Sequence, residues 1–266
     1  MSVTILIPAR YASTRYPGKP LVELRGADGT PRSLIRRSWD AACRVSGADR
    51  VCVATDDARI ADHARGFGAE VVMTSSAARN GTERCAEAVA AMSNRPEIVV
   101  NLQGDAPLTP PWFVEALIER MAADPDMQVA TPVLRTDAAA LRGFREDRRN
   151  DRVGGTTAVF DRADRAMYFS KEVLPYTGRD FAEGEDNPVF HHVGVYAYRP
   201  SALEAYAGWP EGRLERWEGL EQLRFMENGV PVHCVEVDAR GRGFWELNNP
   251  VDVARIEAML RDQGLD

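Results

Sequence analysis

The chain has 266 residues, 44% of them hydrophobic, with four cysteines and a formal net charge of −7. That length and apolar content suffice for one large α/β domain with a sizeable core, and the acidic balance argues against general nucleic-acid binding, which favours a basic surface. No stretch approaches a membrane-spanning length, a strand begins within three residues of the N-terminus and leaves no room for a signal peptide, and Cys43, Cys52, Cys85 and Cys234 have neither zinc nor disulfide spacing, which fits a reducing cytoplasm.

Val3 to Ile7 reads as a buried strand bounded by Pro8. It empties into a loop with three cations, Arg10, Arg15 and Lys19, set among small residues, two prolines and a glycine. Ligands of open α/β sheets bind outside the strand carboxyl ends, and fixed Arg and Lys neutralise charge on phosphate oxygens. The loop therefore reads as a polyphosphate grip rather than a solvated basic turn.

Ser33 to Val45 reads as a helix with Ser33 as N-cap, and Arg50 to Ala54 as a strand ending in Thr55-Asp56-Asp57. Ala58 to Phe67 is helical up to Gly68, Glu70 to Met73 is a strand, and Thr82 to Met92 a helix. Ile98 to Leu102 is a further strand ending in Gln103-Gly104-Asp105, followed by a helix over Pro110 to Ala122. This alternation predicts a mostly parallel sheet with helices on both faces.

The pattern changes after Met127. Val129 to Val133 and Thr156 to Phe160 are strand candidates, and the charged stretch Thr136 to Arg152 between them reads as solvated and partly mobile. His192 to Tyr198 alternates like a strand; Leu203 to Tyr206 and Leu214 to Glu227 read as helices, the second ended by Asn228-Gly229. Val232 to Val237 is a strand and Pro250 to Arg261 a closing helix. No repeat or linker divides the chain, so residues 1–266 read as a single domain.

Asp105, just after an apolar strand, is placed either to hold a hard cation such as magnesium, which takes oxygen ligands and substrate phosphates, or merely to cap the next segment. Gly81 and Thr82 open a helix, whose N-terminal amides favour anions; Thr55 and Asp56 form a cap or a nucleotide-facing loop. His191 and His192 are adjacent, which is poor metal-ligand spacing, though one of them is a candidate for a substrate pocket. Glu218, Glu221 and Gln222 share one face by helical spacing, either solvated or directed at sugar hydroxyls.

Together these pieces resemble the cytidylyltransferases that activate 3-deoxy-manno-octulosonate (Kdo), the CMP-Kdo synthetases. The resemblance rests on Ile7 to Arg15 with Pro17-Gly18-Lys19-Pro20-Leu21, on Ala54-Thr55-Asp56, Gly81-Thr82-Glu83-Arg84 and Asn101 to Asp105, then on Tyr168-Phe169-Ser170, His192 to Tyr196 and Leu220 to Arg224. It implies a nucleotide-diphospho-sugar transferase-like fold, with a central mostly parallel mixed sheet flanked by helices. It also implies a β-rich arm for homodimerisation, so that about 129–210 includes the sugar-binding and dimerisation subregion.

The resemblance implies that CMP passes from CTP to the anomeric hydroxyl of an acidic sugar and pyrophosphate leaves, in the cytoplasm and on the route to lipopolysaccharide. No nucleic acid or membrane is a partner. By the same resemblance Arg10, Arg15 and Lys19 grip the triphosphate, and Pro8, Ala9, Arg10, Thr55, Asp56, Gly81, Thr82 and Gln103 contact the nucleotide. Asp105 holds Mg2+, and Gln103, Lys171, His192, Tyr196, Glu221 and Gln222 contact the acid.

Three positions depart from the family. Asn248 in Glu246-Leu247-Asn248-Asn249-Pro250 stands where the family has an Asp that is a second magnesium ligand. An amide oxygen ligates without charge, which implies weaker metal binding, a shifted metal, or help from Glu246 or a substrate carboxylate. Lys171 replaces an Arg, losing the fork that grips a carboxylate, and Thr157 stands where the family has a Lys. Alternative readings are a different acidic acceptor, another nucleotide, or a nucleotide-binding homologue without turnover.

Overall fold

The computed structural model describes residues 1–12, 16–152 and 155–266. Strand β1 (Val3–Ala9) is buried along its whole length. Ile5 and Ile7 join an apolar cluster with Phe113 and Leu117 on one face, and Leu6 joins Cys85 and Val89 on the other. A strand covered on both faces is written as a continuous apolar run, and each such buried Ile or Leu contributes about 2 kcal/mol.

A short hairpin, β2 (Glu23–Arg25) and β3 (Pro31–Ser33), leads into α1 (Leu34–Ala42), where the Ser33 side chain caps by accepting from the Arg36 amide. Then come β4 (Arg50–Thr55), α2 (Ala58–Gly66), β5 (Glu70–Met73), α3 (Gly81–Ala90), β6 (Ile98–Leu102) and α4 (Pro111–Ala123). The second half holds β7 (Val129–Arg135), α5 (Ala138–Arg149), β8 (Thr156–Phe160), β9 (Ala166–Ser170), β10 (Phe190–His192) and β11 (Val195–Tyr198). It continues through α6 (Pro200–Gly208), α7 (Arg213–Glu218), α8 (Leu223–Glu227), β12 (Val232–Glu236) and α9 (Asp252–Asp262).

One sheet runs β5-β4-β1-β6-β11-β7-β10-β8-β9, with β12 beside β7. Strands β4, β1 and β6 are parallel and in register, Ala9 opposite Thr55 and Leu6 opposite Asn101. Their carboxyl ends therefore open on one edge of the sheet. Strand β11 runs antiparallel between β6 and β7, so its first residues meet the end of β6 at that same edge, Val195 opposite Leu102.

Three local expectations are corrected. Residues 138–149 form α5, whose Ala138 and Leu141 are buried and whose N-cap Asp137 accepts from Ala140. The strand expected over His192 to Tyr198 breaks at Val193-Gly194 into β10 and β11. The helix expected over Leu214 to Glu227 breaks after α7, where Gly219 takes φ +63, a left-handed turn that costs glycine little. Among the described residues no helix is long and apolar enough to cross a membrane.

Candidate active site

A cleft of about 380 Å³ opens at the carboxyl ends of β1 and β6. One bank comes from the chain after β1, with Pro8, Ala9, Arg10, Lys19 and Pro20, and from the entry to α3, with Arg79, Asn80 and Gly81. The other comes from Tyr196 on β11 and from the turn Gly219 to Gln222 between α7 and α8. The loop after β6 supplies the floor, through Gln103, Gly104 and Asp105.

The loop after β1 is closed by Tyr11, whose carbonyl accepts from the Gly18 amide at 3.0 Å. Lys19 begins a single 3-10 turn, Lys19–Leu21, and its Nζ donates to Asp105 Oδ2 at 2.6 Å. Gly104 lets the two loops approach, since a Cβ there would stand 2.7 Å from the Pro8 carbonyl oxygen. Arg10 is exposed and its guanidinium donates to the Arg79 carbonyl at 3.5 Å. Arg15, the third cation of the loop, lies outside the described residues.

The far bank is a polar network. Glu221 accepts from the Thr82 amide at 2.9 Å and from Gln103 Nε2 at 3.1 Å. Burial pushes its carboxyl above the ordinary value, against those two donors, which favour the charged form. The Tyr196 hydroxyl donates to Gln222 Oε1 at 3.0 Å. Gln222 Nε2 and both amide atoms of Asn101 are buried with no hydrogen-bond partner among the described residues. Behind this bank Arg224 forks onto Glu215 with two 2.6 Å bonds and reaches Glu83 at 2.9 Å. That buried cation staples α7 and α8 to α3, which positions the turn carrying Glu221.

Lys171, expected at the acceptor, is absent from the lining and sits beside the same turn. Its amide donates to Glu218 Oε2 at 2.9 Å, and its Nζ lies 2.9 Å from where a Cβ on Gly219 would stand. Glu218 therefore does not share a face with Glu221 and Gln222, as an unbroken helix would dictate. It turns away to Ser170 and Tyr168 at 2.7 and 3.3 Å.

Of the residues expected at the site, Pro8, Ala9, Arg10, Lys19, Gly81, Gln103, Asp105, Tyr196, Glu221 and Gln222 line the cleft. Others do not, each for a structural reason. Thr55 is wholly buried, its hydroxyl accepting from the Asp57 amide. Asp56 pairs with Arg84 at 3.2 Å. Thr82 is buried with its hydroxyl against that of Tyr198 at 2.8 Å, and the cap of α3 is Asn80, which accepts from Glu83.

His192 is also buried, bonded to Thr131 Oγ1 at 3.0 Å and packed behind Tyr196. Burial, with His191 next to it, pushes its pKa down to about 3. Thr157 is spent on the Glu172 carbonyl and the Leu174 amide. Asn248 is absent from the lining; its amide and that of Asn249 donate to Asp252 Oδ2 at 3.0 and 2.6 Å. Glu246, offered by the sequence as a substitute for the missing charge at 248, is likewise absent from the lining, whereas Arg79 lines the cleft and escaped the sequence reading although it precedes the Asn80-Gly81 motif.

The family model described as Cytidylyltransferase matches residues 4–236. A 3-deoxy-manno-octulosonate cytidylyltransferase of Maricaulis maris (strain MCS10) is 44% identical over 264 residues, covering 99% of each chain. A protein of the same name from Syntrophotalea carbinolica is 40% identical, over 98% of this chain and 99% of its own. Among solved structures, a CMP:2-keto-3-deoxy-manno-octonic acid synthetase complexed with CTP superposes with a TM-score of 0.83 at 31% identity, over 99% of this chain and 100% of that one.

Proposed function

The chain belongs to the 3-deoxy-manno-octulosonate cytidylyltransferase family, and from that premise we propose that it transfers CMP from CTP to the anomeric hydroxyl of Kdo. The anomeric oxygen attacks the α-phosphorus, the bond from that phosphorus to the β-phosphate oxygen breaks, the hydroxyl proton is lost, and pyrophosphate leaves. The observation that carries this is the pairing of two unlike banks in one cleft. Arg10 and Lys19 stand on one side and hydroxyl-seeking Tyr196, Glu221 and Gln222 on the other, with Gln103 and Asp105 on the floor between them.

We assign Arg10 and Lys19, with Arg15, to the triphosphate, where fixed cations neutralise charge developing on phosphate oxygens. Lys171 takes the acceptor carboxylate as a point charge. Gln103, Glu221 and Gln222 take sugar hydroxyls, and the gain is chiefly orientation of the attacking oxygen. Magnesium suits Asp105, whose carboxylate already attracts one cation, the Lys19 ammonium; bound there with phosphate oxygens, it would neutralise polyphosphate charge.

We also propose a homodimer, supported by β9, which ends the sheet with no further strand beside it among the described residues and exposes Met167, since unpaired strand edges are pairing surfaces. A cytoplasmic setting is supported by four free cysteines. The deciding experiment incubates the protein with CTP, magnesium and a panel of sugar acids, and reads both pyrophosphate and the CMP conjugate. Turnover with Kdo is expected; a conjugate with a different acid alone reassigns the acceptor, and no conjugate with any acid sinks the reading.

A further inference from the structure

We propose that Glu246, rather than Asn248, supplies the second carboxylate that faces the divalent cation at Asp105; this deepens the functional reading above and rests on it. The amide that follows Glu246, that of Leu247, donates to the Asp105 carbonyl at 2.9 Å, so the two backbones meet there. Leu247 is wholly buried in a cluster with Leu24, Leu34 and Leu108. That anchor pins the segment against the loop after β6.

From there the Glu246 side chain reaches inward. Its Oε1 lies 3.1 Å from where a Cβ on Gly194 would stand, and Gln103 Cγ lies 4.0 Å from the same point. Glu246 thus carries its carboxylate beside the loop that carries Asp105. Its charge is also felt at Tyr196 on the cleft wall, whose hydroxyl pKa is pushed up by burial first and then by Glu221 and Glu246. A bare Gly194 leaves room for that carboxylate where any side chain would crowd it.

Asn248 follows Leu247 on the same segment but carries no carboxylate. The amides of residues 248 and 249 are taken by Asp252, which fixes the turn into α9, and the Asn248 side chain brings no charge. Magnesium is held in such sites by one or two carboxylates plus substrate phosphates.

The test measures Mn2+ binding to the full chain in the presence of a non-hydrolysable CTP analogue, by electron paramagnetic resonance or calorimetry, so it does not depend on turnover. Glu246→Gln is expected to weaken Mn2+ by about tenfold or more, the scale on which groups around a metal site set its affinity, and Asn248→Ala to change it by less than about twofold. Glu246→Gln with unchanged Mn2+ affinity overturns the proposal, as does an equal loss in Asn248→Ala. A Glu246→Gln effect confined to the acceptor KM overturns it too.

Should Glu246→Gln fail to fold, Gly194→Ala crowds the carboxylate without removing it and is expected to weaken Mn2+ as well; unchanged affinity there counts against the proposal. If no acid accepts CMP while Mn2+ affinity still depends on Glu246, the acceptor reading fails and the metal assignment stands.

Discussion

Lys19 Nζ donates to Asp105 Oδ2 across 2.6 Å, tying the loop after β1 to the loop after β6. Both side chains are partly covered, 14% and 26% exposed, so the pair is more than the near-neutral surface ion pair of open solvent. In the proposed reaction Lys19 would turn to a phosphate oxygen, and Asp105 would hold the cation that neutralises polyphosphate charge. Lys19→Met is therefore expected to lower kcat/KM for CTP by about 10² to 10³, the range for removing one fixed donor to developing charge. Steady-state pyrophosphate release checks this, and a loss under about threefold would exclude Lys19 from the phosphate grip.

Glu221 carries a stability cost through its burial. Its folded pKa is raised above the ordinary 4.5, mainly by burial. A carboxyl shifted that way costs nothing well below the ordinary value and carries its full penalty once pH exceeds the folded value. Glu221→Gln is thus expected to raise Tm at about pH 8, with the gain shrinking as pH falls toward about 4. The same variant should raise the acceptor KM by about tenfold, because a charge-assisted hydrogen bond to a hydroxyl becomes a neutral one. Thermal melts across pH decide the first part; a variant that melts lower than wild type at the alkaline end contradicts it.

Much of the fold was legible because β1, β4 and β6 are covered on both faces and so read as apolar runs, with polar clusters at their carboxyl ends. The cations and Asp105 were legible for the same reason: function sits where those runs stop. Helix α5 was not, since only Ala138 and Leu141 are buried along it and its charge resembles a solvated loop. The break at Gly219 was hidden inside a good helical period, and it is that break which sends Glu218 to Ser170 and Glu221 to Thr82. The sequence offered Glu246 only as one of several substitutes for the charge at 248; the Leu247–Asp105 backbone bond that brings its segment to the loop after β6 is a long-range contact with no local sign. The adjacency of His191 and His192 spoke against a metal but said nothing of depth, and β10 buries His192 behind Tyr196.

His192 sets a pH limit on the fold. It is buried and neutral, with a folded pKa of about 3 against an ordinary 6.5. A base lowered in this way contributes stability that is fully present above the unfolded value and is lost as pH falls from there toward the folded one. The loss approaches about 1.4 kcal/mol per pH unit for a single group. Denaturant unfolding at a series of pH values should show His192→Asn losing about 2 kcal/mol less than wild type between about pH 6 and pH 4. Equal slopes for the two proteins would mean that His192 is not the group responsible.

In the proposed reaction Lys171 is the cation assigned to the acceptor carboxylate. Its amide is fixed by Glu218, and its ammonium overhangs the Gly219 turn at 2.9 Å from a built Cβ, next to the cleft-lining Glu221 and Gln222. Without it the acceptor carboxylate meets no cation on that bank, so Lys171→Ala is expected to raise the acceptor KM by about tenfold or more, as for loss of a charge-assisted contact. The KM for CTP should stay within about twofold, because the triphosphate cations lie across the cleft. Lys171→Arg restores the charge, and a forked guanidinium engages two carboxylate oxygens where an ammonium engages one. The arginine variant should therefore recover most of the acceptor affinity. An equal rise in both KM values for Lys171→Ala would instead make Lys171 a support of the Gly219 turn.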